Sequence, residues 1–576
     1  MTNITINGKK YSVNDNQTIL EACNELGITI PTLCYLKKFD ATGSCRVCLV
    51  EVEGQRNLVT ACTFKIYEGM EITTNSKKVM DARKTSIELI LSNHNYDCEH
   101  CASSGRCELQ ALAQEYNCSA DRFKGAKTET MLDESHPAII RDQSKCILCR
   151  KCLLVCNKMQ KVYALTQNKR GFNTVIGCAF GKTLKESPCV GCGQCILTCP
   201  VGALSENYSV TNLLKALKDK TKHVVVAPAP SVRVSIGEEF GLKNGTDTEK
   251  LLPTALRLLG FSKVFDVDFG ADLTICEESA ELIERIKNGG PFPMFTSCCP
   301  AWVDFANEYY PEFNKNLSTC KSPQQMFGAV VKTYYAQKNK IDPKNIVVVT
   351  IMPCTAKKGE LSKPNMQSEN GQDVDISITV RELSALLKAY GIDYKKLAPS
   401  KFDQLLGESS GAGIIFGNSG GVMESALRTV SDLLTGKDLD TIEYQSVRGL
   451  DGIKKATVQI AGKDYVVASV SGLADTRQLL SEIKNGEFAP HFVEVMGCPG
   501  GCINGGGMPR KTAETLNSAD VRISRAEAIY KNDRQKTIRK SYKNPEIIEF
   551  YNWQNTTTNK PQLHTNVHKS KKYAHN

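Results

Sequence analysis

Polar and apolar residues alternate from Ile4 to Val13, and Asn7-Gly8 interrupts the alternation. A period of two marks strands with one buried face, and Asn-Gly favours a two-residue turn. Residues 4–13 are therefore predicted as a β-hairpin. The period lengthens over Thr18–Leu26 (TILEACNEL), which reads as a helix. Residues 79–125 read as two helices. Beyond about residue 222, unbroken apolar runs such as His223–Ala227 (HVVVA) and Ile346–Thr350 (IVVVT) alternate with helical stretches such as Ala280–Lys287 and Arg381–Lys388. Continuous apolar strands are those buried on both faces, so this part is predicted as α/β units around parallel strands. The final ~45 residues lose apolar periodicity and turn Asn-, Thr- and Lys-rich, so a peripheral or partly disordered end is expected.

The same pattern sets limits on location. No apolar run approaches the ~18 residues of a membrane helix, Ile346–Met352 (IVVVTIM) being among the longest, and no membrane partner is expected. Met1–Lys10 holds neither an apolar export core nor a twin arginine, which points to a cytoplasmic protein. The 576 residues suggest about four domains. The formal net charge is +10, and ten Lys/Arg against three Asp/Glu fall between Tyr530 and Asn576. With no recognisable binding motif, a basic tail reads as a solvated surface segment, and nucleic acid is not expected as a partner.

Cysteine changes the picture. There are 25, and 18 of them precede residue 200. They fall in tight Cys-x-x-Cys runs, too close to pair comfortably as separate disulfides, and in a reducing compartment that pattern means metal. The sharpest signal is a repeat, Cys146-x2-Cys149-x2-Cys152-x3-Cys156 and Cys189-x2-Cys192-x2-Cys195-x3-Cys199-Pro200. Three thiolates on one tight loop cap three corners of a 4Fe–4S cubane, and the last cysteine of the other run closes the fourth. One cluster is assigned to Cys146, Cys149, Cys152 and Cys199, the other to Cys189, Cys192, Cys195 and Cys156. Zinc is the alternative, but its sites use two Cys-x-x-Cys pairs rather than a duplicated four-cysteine run. Cys34-x10-Cys45-x2-Cys48-x13-Cys62 resembles a plant-type 2Fe–2S loop with a longer first gap; structural cysteines are the alternative. In His94-x3-Cys98-x2-Cys101-x5-Cys107 an imidazole can replace one thiolate, and Cys118 is the competing fourth ligand. Cys23 reads as core.

A line of clusters needs a terminus. Nicotinamide and flavin fingerprints are absent, since Gly411-Ala412-Gly413-Ile414-Ile415-Phe416 fails G-x-G-x-x-G at its last position. Three later segments hold cysteines in unusual company: Thr296–Trp302 (TSCCPAW), Met352–Glu360 (MPCTAKKGE) and Val495–Cys502 (VMGCPGGC). Cys299, Cys354, Cys498 and Cys502 supply four thiolates for a further cubane and leave Cys298 beside it.

With these motifs the chain resembles the iron–iron hydrogenases of clostridial type over about residues 1–525, through TSCCPxW, MPCxxKxxE and CxxxC followed by GGG. The resemblance implies an H-cluster: a 4Fe–4S cubane on those four cysteines, with Cys502 bridging to a two-iron subsite carrying carbonyl, cyanide and an azadithiolate bridge. It implies the reaction 2H⁺ + 2e⁻ ⇌ H₂ in an anaerobic setting, with electrons from reduced ferredoxin or flavodoxin, and installation of the subsite by maturation proteins. Cyanide needs donors, for which Lys357 and the backbone near Pro230 and Ser231 stand ready; carbonyls need an apolar wall, for which Met352, Met496 and Phe416 are suited. Gln324 joins this pocket. Glu278, Glu281 and Arg285 share a helical face, which by spacing alone is a solvated face with a Glu281–Arg285 pair. The resemblance instead implies a proton path through Cys298, Glu278, Ser318 and Glu281, with Arg285 at its exit. It also favours His94 over Cys118. The chain departs from the family pattern at Met508, where Gln is common, and at Gly497, where Ala is common; both are expected near the cluster pocket. Cys276 and Cys320 receive no role.

The expected fold class is multidomain α+β and α/β. It comprises a ferredoxin-like 2Fe–2S domain (1–78), a His/Cys domain with one 4Fe–4S cluster (79–125), a two-cluster ferredoxin-like domain (126–209), an α/β catalytic domain (210–525) and a basic tail (526–576). Two other readings remain. A non-catalytic relative, sensor or iron–sulfur assembly factor, would be expected to lose Cys298, Lys357 and the glutamates. An electron-input subunit leaves residues 296–302, 352–360 and 495–507 unexplained.

Overall fold

The computed structural model describes residues 1–37, 39–440, 442–510 and 520–565. Near the N-terminus, Thr2–Ile6 and Lys9–Val13 form the expected hairpin, and Asn7 and Gly8 both take the positive φ its turn requires. The hairpin joins a five-stranded sheet with Leu49–Val52, Val59–Thr60 and Met70–Thr73. The expected helix runs Ile19–Glu25, closed by a reciprocal capping box between Thr18 and Glu21. Helices Lys77–Ser92 and Glu108–Glu115 follow.

The repeat folds as two similar turns. Leu148 and Arg150 in the first run and Gly191 and Gly193 in the second all have positive φ, so each loop curls tightly before a short helix. Gly193 has no substitute, because a Cβ there would lie 2.3 Å from Thr355 Oγ1 and 2.9 Å from Gly506 Cα.

Two four-stranded sheets form the large C-terminal part. One is wholly parallel, in the order Lys263–Val264, His223–Pro228, Ile346–Met352, Ile376–Thr379. The other runs Met294–Phe295, Phe492–Met496, Lys463–Ser471, Ile453–Ile460, and its last pair is antiparallel. The expectation of parallel strands thus holds for the first sheet and most of the second. The 22-residue helix Val267–Asn288 carries Glu278, Glu281 and Arg285.

The C-terminal stretch departs from expectation. Val521–Gln535 and Pro545–Thr556 are helices. Ile529 packs with Val234, Ile414, Ile415 and Ile503, while Ile547, Phe550 and Leu563 enter the main core. Its basic residues pair with acids of the body: Arg525 with Glu238 and Lys540 with Asp432, while Asp533 answers the buried Arg428. A peripheral tail beginning at residue 526 is therefore incorrect as far as Thr565; the expectation for residues 566–576 lies outside the described residues. Among the described residues no helix is long and apolar enough to cross a membrane.

Candidate active site and cluster cages

Each predicted cysteine set converges. Cys34, Cys45, Cys48 and Cys62 are buried and share sulfur–sulfur hydrogen bonds. Cys146, Cys149, Cys152 and Cys199 line one cavity, and Cys156, Cys189, Cys192 and Cys195 line another, as the exchanged fourth corner requires. Burial pushes the Cys156 thiol up to about 12 and Cys192 to about 11, further raised by neighbouring cysteines. Apolar walls around four converging thiols describe a cage whose charge an iron–sulfur core would balance. At the His94 site Cys98, Cys101 and Cys107 influence one another, and the buried His94 Nδ1 has no partner. Burial and then Lys145 lower the His94 pKa to about 4, leaving a neutral imidazole able to ligate. Cys118 faces the Lys84 carbonyl instead, at 3.9 Å.

These cages form a line. One apolar cluster joins Leu33, Cys34 and Cys45 to Leu109, Cys149 and Val201, with Cys107 and Cys199 against it. Cys199 and Cys152 both act on Cys195 or are acted on by it, and Cys192 acts on Cys498. Direct bonds tie the last accessory domain to the catalytic body: Gln160 Nε2 donates to Gly497 O at 2.8 Å, Gln194 Nε2 to Asn504 O at 2.7 Å, and Thr355 Oγ1 to Gly191 O at 2.7 Å.

The catalytic cage is built by strand ends. His223–Pro228, Ile346–Met352, Met294–Phe295 and Phe492–Met496 all deliver their C-terminal ends to one place, which is where parallel sheets bind ligands. Cys298 and Cys299, Cys354, and Cys498 and Cys502 follow within a few residues of three of them. Burial raises the thiols of Cys299, Cys354, Cys498 and Cys502, and all four lie close enough to perturb one another. Beside them is a cavity of about 80 Å³ whose lining includes Pro230, Ser231, Gln324, Met352, Phe416, Met496, Cys298 and Lys357. All six residues expected to hold the cofactor therefore meet there. The Ser231 hydroxyl is buried without a partner, a donor to spare for a polar ligand.

Lys357 Nζ donates to Cys298 O at 3.0 Å and to Glu360 Oε2 at 3.0 Å. Gln324 Nε2 and Ser322 Oγ also donate to Glu360, at 3.0 and 2.9 Å. Glu360 was missed as a site residue, although its three-residue spacing from Lys357 on the Ala356–Glu360 helix signals the pair. Gly497 N donates to Cys299 Sγ at 3.3 Å. Met508 is buried and does not itself line the cavity; its sulfur accepts from Ser235 Oγ at 3.5 Å, and Ser235 Oγ also lies 2.8 Å from the carbonyl of Ser231, which does line it.

The residues expected on the proton path are contiguous. Cys298 is buried, and its thiol is raised by burial and then by Glu278. Burial, and then Glu281, push Glu278 up to about 8. Neither Glu278 oxygen is locked in a hydrogen bond, although the Ser318 hydroxyl and the Ser297 backbone pull its value down in part. Ser318 Oγ donates to Glu281 Oε2 at 3.0 Å, and Arg285 Nη2 to Glu281 Oε1 at 2.5 Å. Arg285 also donates to Asn316 O and Leu317 O, which accounts for its burial. The solvated-face reading of this helix does not hold.

A line of cysteine cages that ends at a cavity bordered by buried titratable groups defines an iron–sulfur oxidoreductase. Family comparisons sharpen this. Residues 222–506 match the model for the C-terminal domain of the iron only hydrogenase large subunit, and 519–569 that for the iron hydrogenase small subunit. Residues 1–77, 83–122 and 145–203 match a 2Fe-2S cluster binding domain, the NADH-ubiquinone oxidoreductase-G iron-sulfur binding region and a 4Fe-4S dicluster domain. The chain is 42% identical to iron hydrogenase 1 of Clostridium pasteurianum, covering 96% of each. It is 44% identical to the NADP-reducing hydrogenase subunit HndD of Solidesulfovibrio fructosivorans, over 96% of this chain and 95% of the relative. A solved apo FeFe-hydrogenase HydA1 variant from Chlamydomonas reinhardtii superposes with a TM-score of 0.53 at 39% identity, over 60% of this chain and 93% of that one. The chain belongs to the iron–iron hydrogenase family. The resemblance thus extends past residue 525 into the segment first read as a tail.

Proposed function

We propose that the chain catalyses the reversible reduction of protons to H₂, with electrons passed from reduced ferredoxin or flavodoxin through one 2Fe–2S and three 4Fe–4S clusters. The cages described above are assigned as their ligands, His94 included, and the H-cluster cubane to Cys299, Cys354, Cys498 and Cys502. When bound, the two-iron subsite supplies the metal centre at which protons and electrons combine. One observation carries the reading: Cys298 stands in the wall between the four-thiol cage and the Glu278–Ser318–Glu281–Arg285 line. Its thiol faces the cavity and can pass a proton inward, while Glu278 restores it from the solvent side. Lys357, held by Glu360, presents a positive charge and donors to the cavity. The apolar wall of Met352, Phe416 and Met496 excludes water.

The relative named as an NADP-reducing hydrogenase subunit supports a second electron source, a separate subunit that handles NADP. Within this chain, Gly411–Ile414 is not a dinucleotide loop but a buried helix capped by Ser410, which is bound to Asp272. Infrared spectra of anaerobically matured protein test the cofactor; carbonyl and cyanide bands are expected, and their absence after full maturation overturns the assignment. Hydrogen evolution driven by reduced ferredoxin, compared with NADPH, decides the partner, since activity with ferredoxin alone is expected from the isolated chain.

A further inference from the structure

The chain that follows Cys502 leaves the catalytic body along a fixed course. Gly506 packs so closely that a Cβ on it would lie 2.3 Å from Cys192 O, and Arg381 donates to Gly506 O at 2.8 Å and to Met508 O at 2.5 Å. Two residues further on, Arg510 reaches into the accessory domains. Its Nη1 donates to Ser103 Oγ at 2.8 Å and its Nη2 to Leu204 O at 2.8 Å. Ser103 is buried, and its backbone N donates to Cys101 Sγ at 3.4 Å. Leu204 lines the cavity of Cys146, Cys149, Cys152 and Cys199 and also that of Cys156, Cys189, Cys192 and Cys195. One guanidinium of the catalytic body therefore touches the walls of three accessory cages.

An arginine keeps its charge in a protein, and a buried charge needs a counter-charge. The acid at hand is already engaged: Arg381 holds Glu206 through both carboxylate oxygens, at 3.0 and 2.9 Å. Arg510 Nε is buried with no hydrogen-bond partner, and among the described residues no acid pairs with Arg510. The other cations around the Cys146 cage are answered. Arg141 has Asp133 at 3.1 Å, Lys145 has Asp142 at 3.4 Å and Lys151 has Glu108 at 3.6 Å. Burial, and then Arg381, lower the Arg510 pKa, while Glu206 and the Cys199 sulfur oppose them, so Cys199 is near enough to feel the charge. A cubane on four thiolates is anionic, and each added electron makes it more so. A fixed cation beside it in a low dielectric stabilises the reduced form more than the oxidised one.

We propose that Arg510 is the counter-charge of the accessory cluster closed by Cys199 and holds that cluster's reduction potential up. This rests on the cluster assignment proposed above. Arg510 ligates nothing and exchanges no proton; the cluster takes one electron from the outer cages and gives one electron toward the catalytic side. Ser103 and Leu204 aim the guanidinium, so the charge is set by the same loop that binds the catalytic body to the wire.

The test is a potentiometric EPR titration of matured holoenzyme, with Cys149→Ser used to identify the signal of this cage. In Arg510→Gln the reduction equilibrium of that signal is expected to shift roughly tenfold toward the oxidised form, about 59 mV for one electron. Arg510→Lys keeps the charge and is expected to titrate close to wild type. The other midpoints, the iron content and the infrared bands of the catalytic site are expected to stay as they are. Equal midpoints in wild type and Arg510→Gln overturn the proposal, and so does a shift in Arg510→Lys as large as that in Arg510→Gln, which would make shape rather than charge the cause. If Arg510→Gln does not retain iron, Ser103→Ala decides, since it frees the guanidinium without removing it. A shift in the same direction of about threefold is then expected, and an unmoved midpoint overturns the proposal. A wild type with no 4Fe–4S signal overturns the cluster assignment and the proposal with it, whereas unchanged midpoints overturn the proposal alone.

Discussion

The cage at Cys146, Cys149 and Cys152 and the cage at Cys299, Cys354, Cys498 and Cys502 differ in how they are made. In the first, three sulfurs come from seven consecutive residues, and left-handed turns at Leu148 and Arg150 aim them. In the second, the sulfurs arrive on three loops spread over about two hundred residues, each fixed by a strand end of a buried sheet. A locally built cage depends on its own loop. A cage built from strand ends depends on the register of two sheets, which is the price of placing Cys298, Lys357 and the glutamate line around one cavity. The wire needs only cluster ligands; the reaction site needs ligands, a proton donor and a shaped wall together.

The sharpest way to break this contrast is Cys298→Ala. If Cys298 moves protons and ligates nothing, hydrogen turnover should fall by about 10³-fold or more while iron content and carbonyl bands remain. Turnover near the wild-type rate would sink the role. Loss of iron together with activity would make Cys298 part of the cage instead.

Glu278→Gln tests the next link. The variant cannot pass a proton, and turnover should fall by about 10²-fold. The wild-type carboxyl holds its proton up to about pH 8, so hydrogen evolution should decline above that value. The sign for stability follows. A carboxyl raised in the fold contributes fully below its ordinary value of 4.5, and that contribution is lost as pH rises through about 8. Thermal unfolding of wild type should therefore weaken between pH 5 and pH 9 more than that of Glu278→Gln. Parallel pH curves for the two would count against the buried proton.

The front cages were legible because their ligands are neighbours in sequence, and the repeat itself named the exchanged corner. The hairpin at Asn7-Gly8 and the helix after Thr18 were legible for the same local reason. The catalytic cage was not legible from spacing; its three segments gained meaning through the family resemblance. The C-terminal helices were hidden because their buried faces are short or mixed: Val521 and Ile529 share theirs with Arg525, Asn532 and Asp533, and the second helix buries only Ile547 and Phe550. They fill gaps in a core built by others, so no periodicity announces them.

A smaller effect should separate positioning from chemistry inside the cavity. Glu360→Gln keeps the shape but removes the charge that holds Lys357 Nζ, which also donates to Cys298 O. Turnover is expected to drop roughly tenfold, with shifted cyanide bands as the readout a merely structural role would not move. Unshifted bands with lost activity would place Glu360 in folding alone.

The smallest effect is expected in the wire. His94→Ala removes a ligand from one accessory cage whose other three sulfurs sit on their own local loop. Buried, neutral and unpartnered at Nδ1, the imidazole can present that nitrogen to a metal. The reduced protein should lose or alter one EPR signal, while the carbonyl and cyanide bands of the catalytic site stay as they are. Hydrogen evolution with a small artificial reductant should change by only about a few-fold, because such a donor can bypass a single relay site and the proton steps are untouched. The contrast between locally built and strand-built cages survives only if that damage stays local. An unchanged EPR spectrum would return the fourth ligand to Cys118, and disturbed infrared bands would mean that the front cages share the structural dependence of the catalytic one.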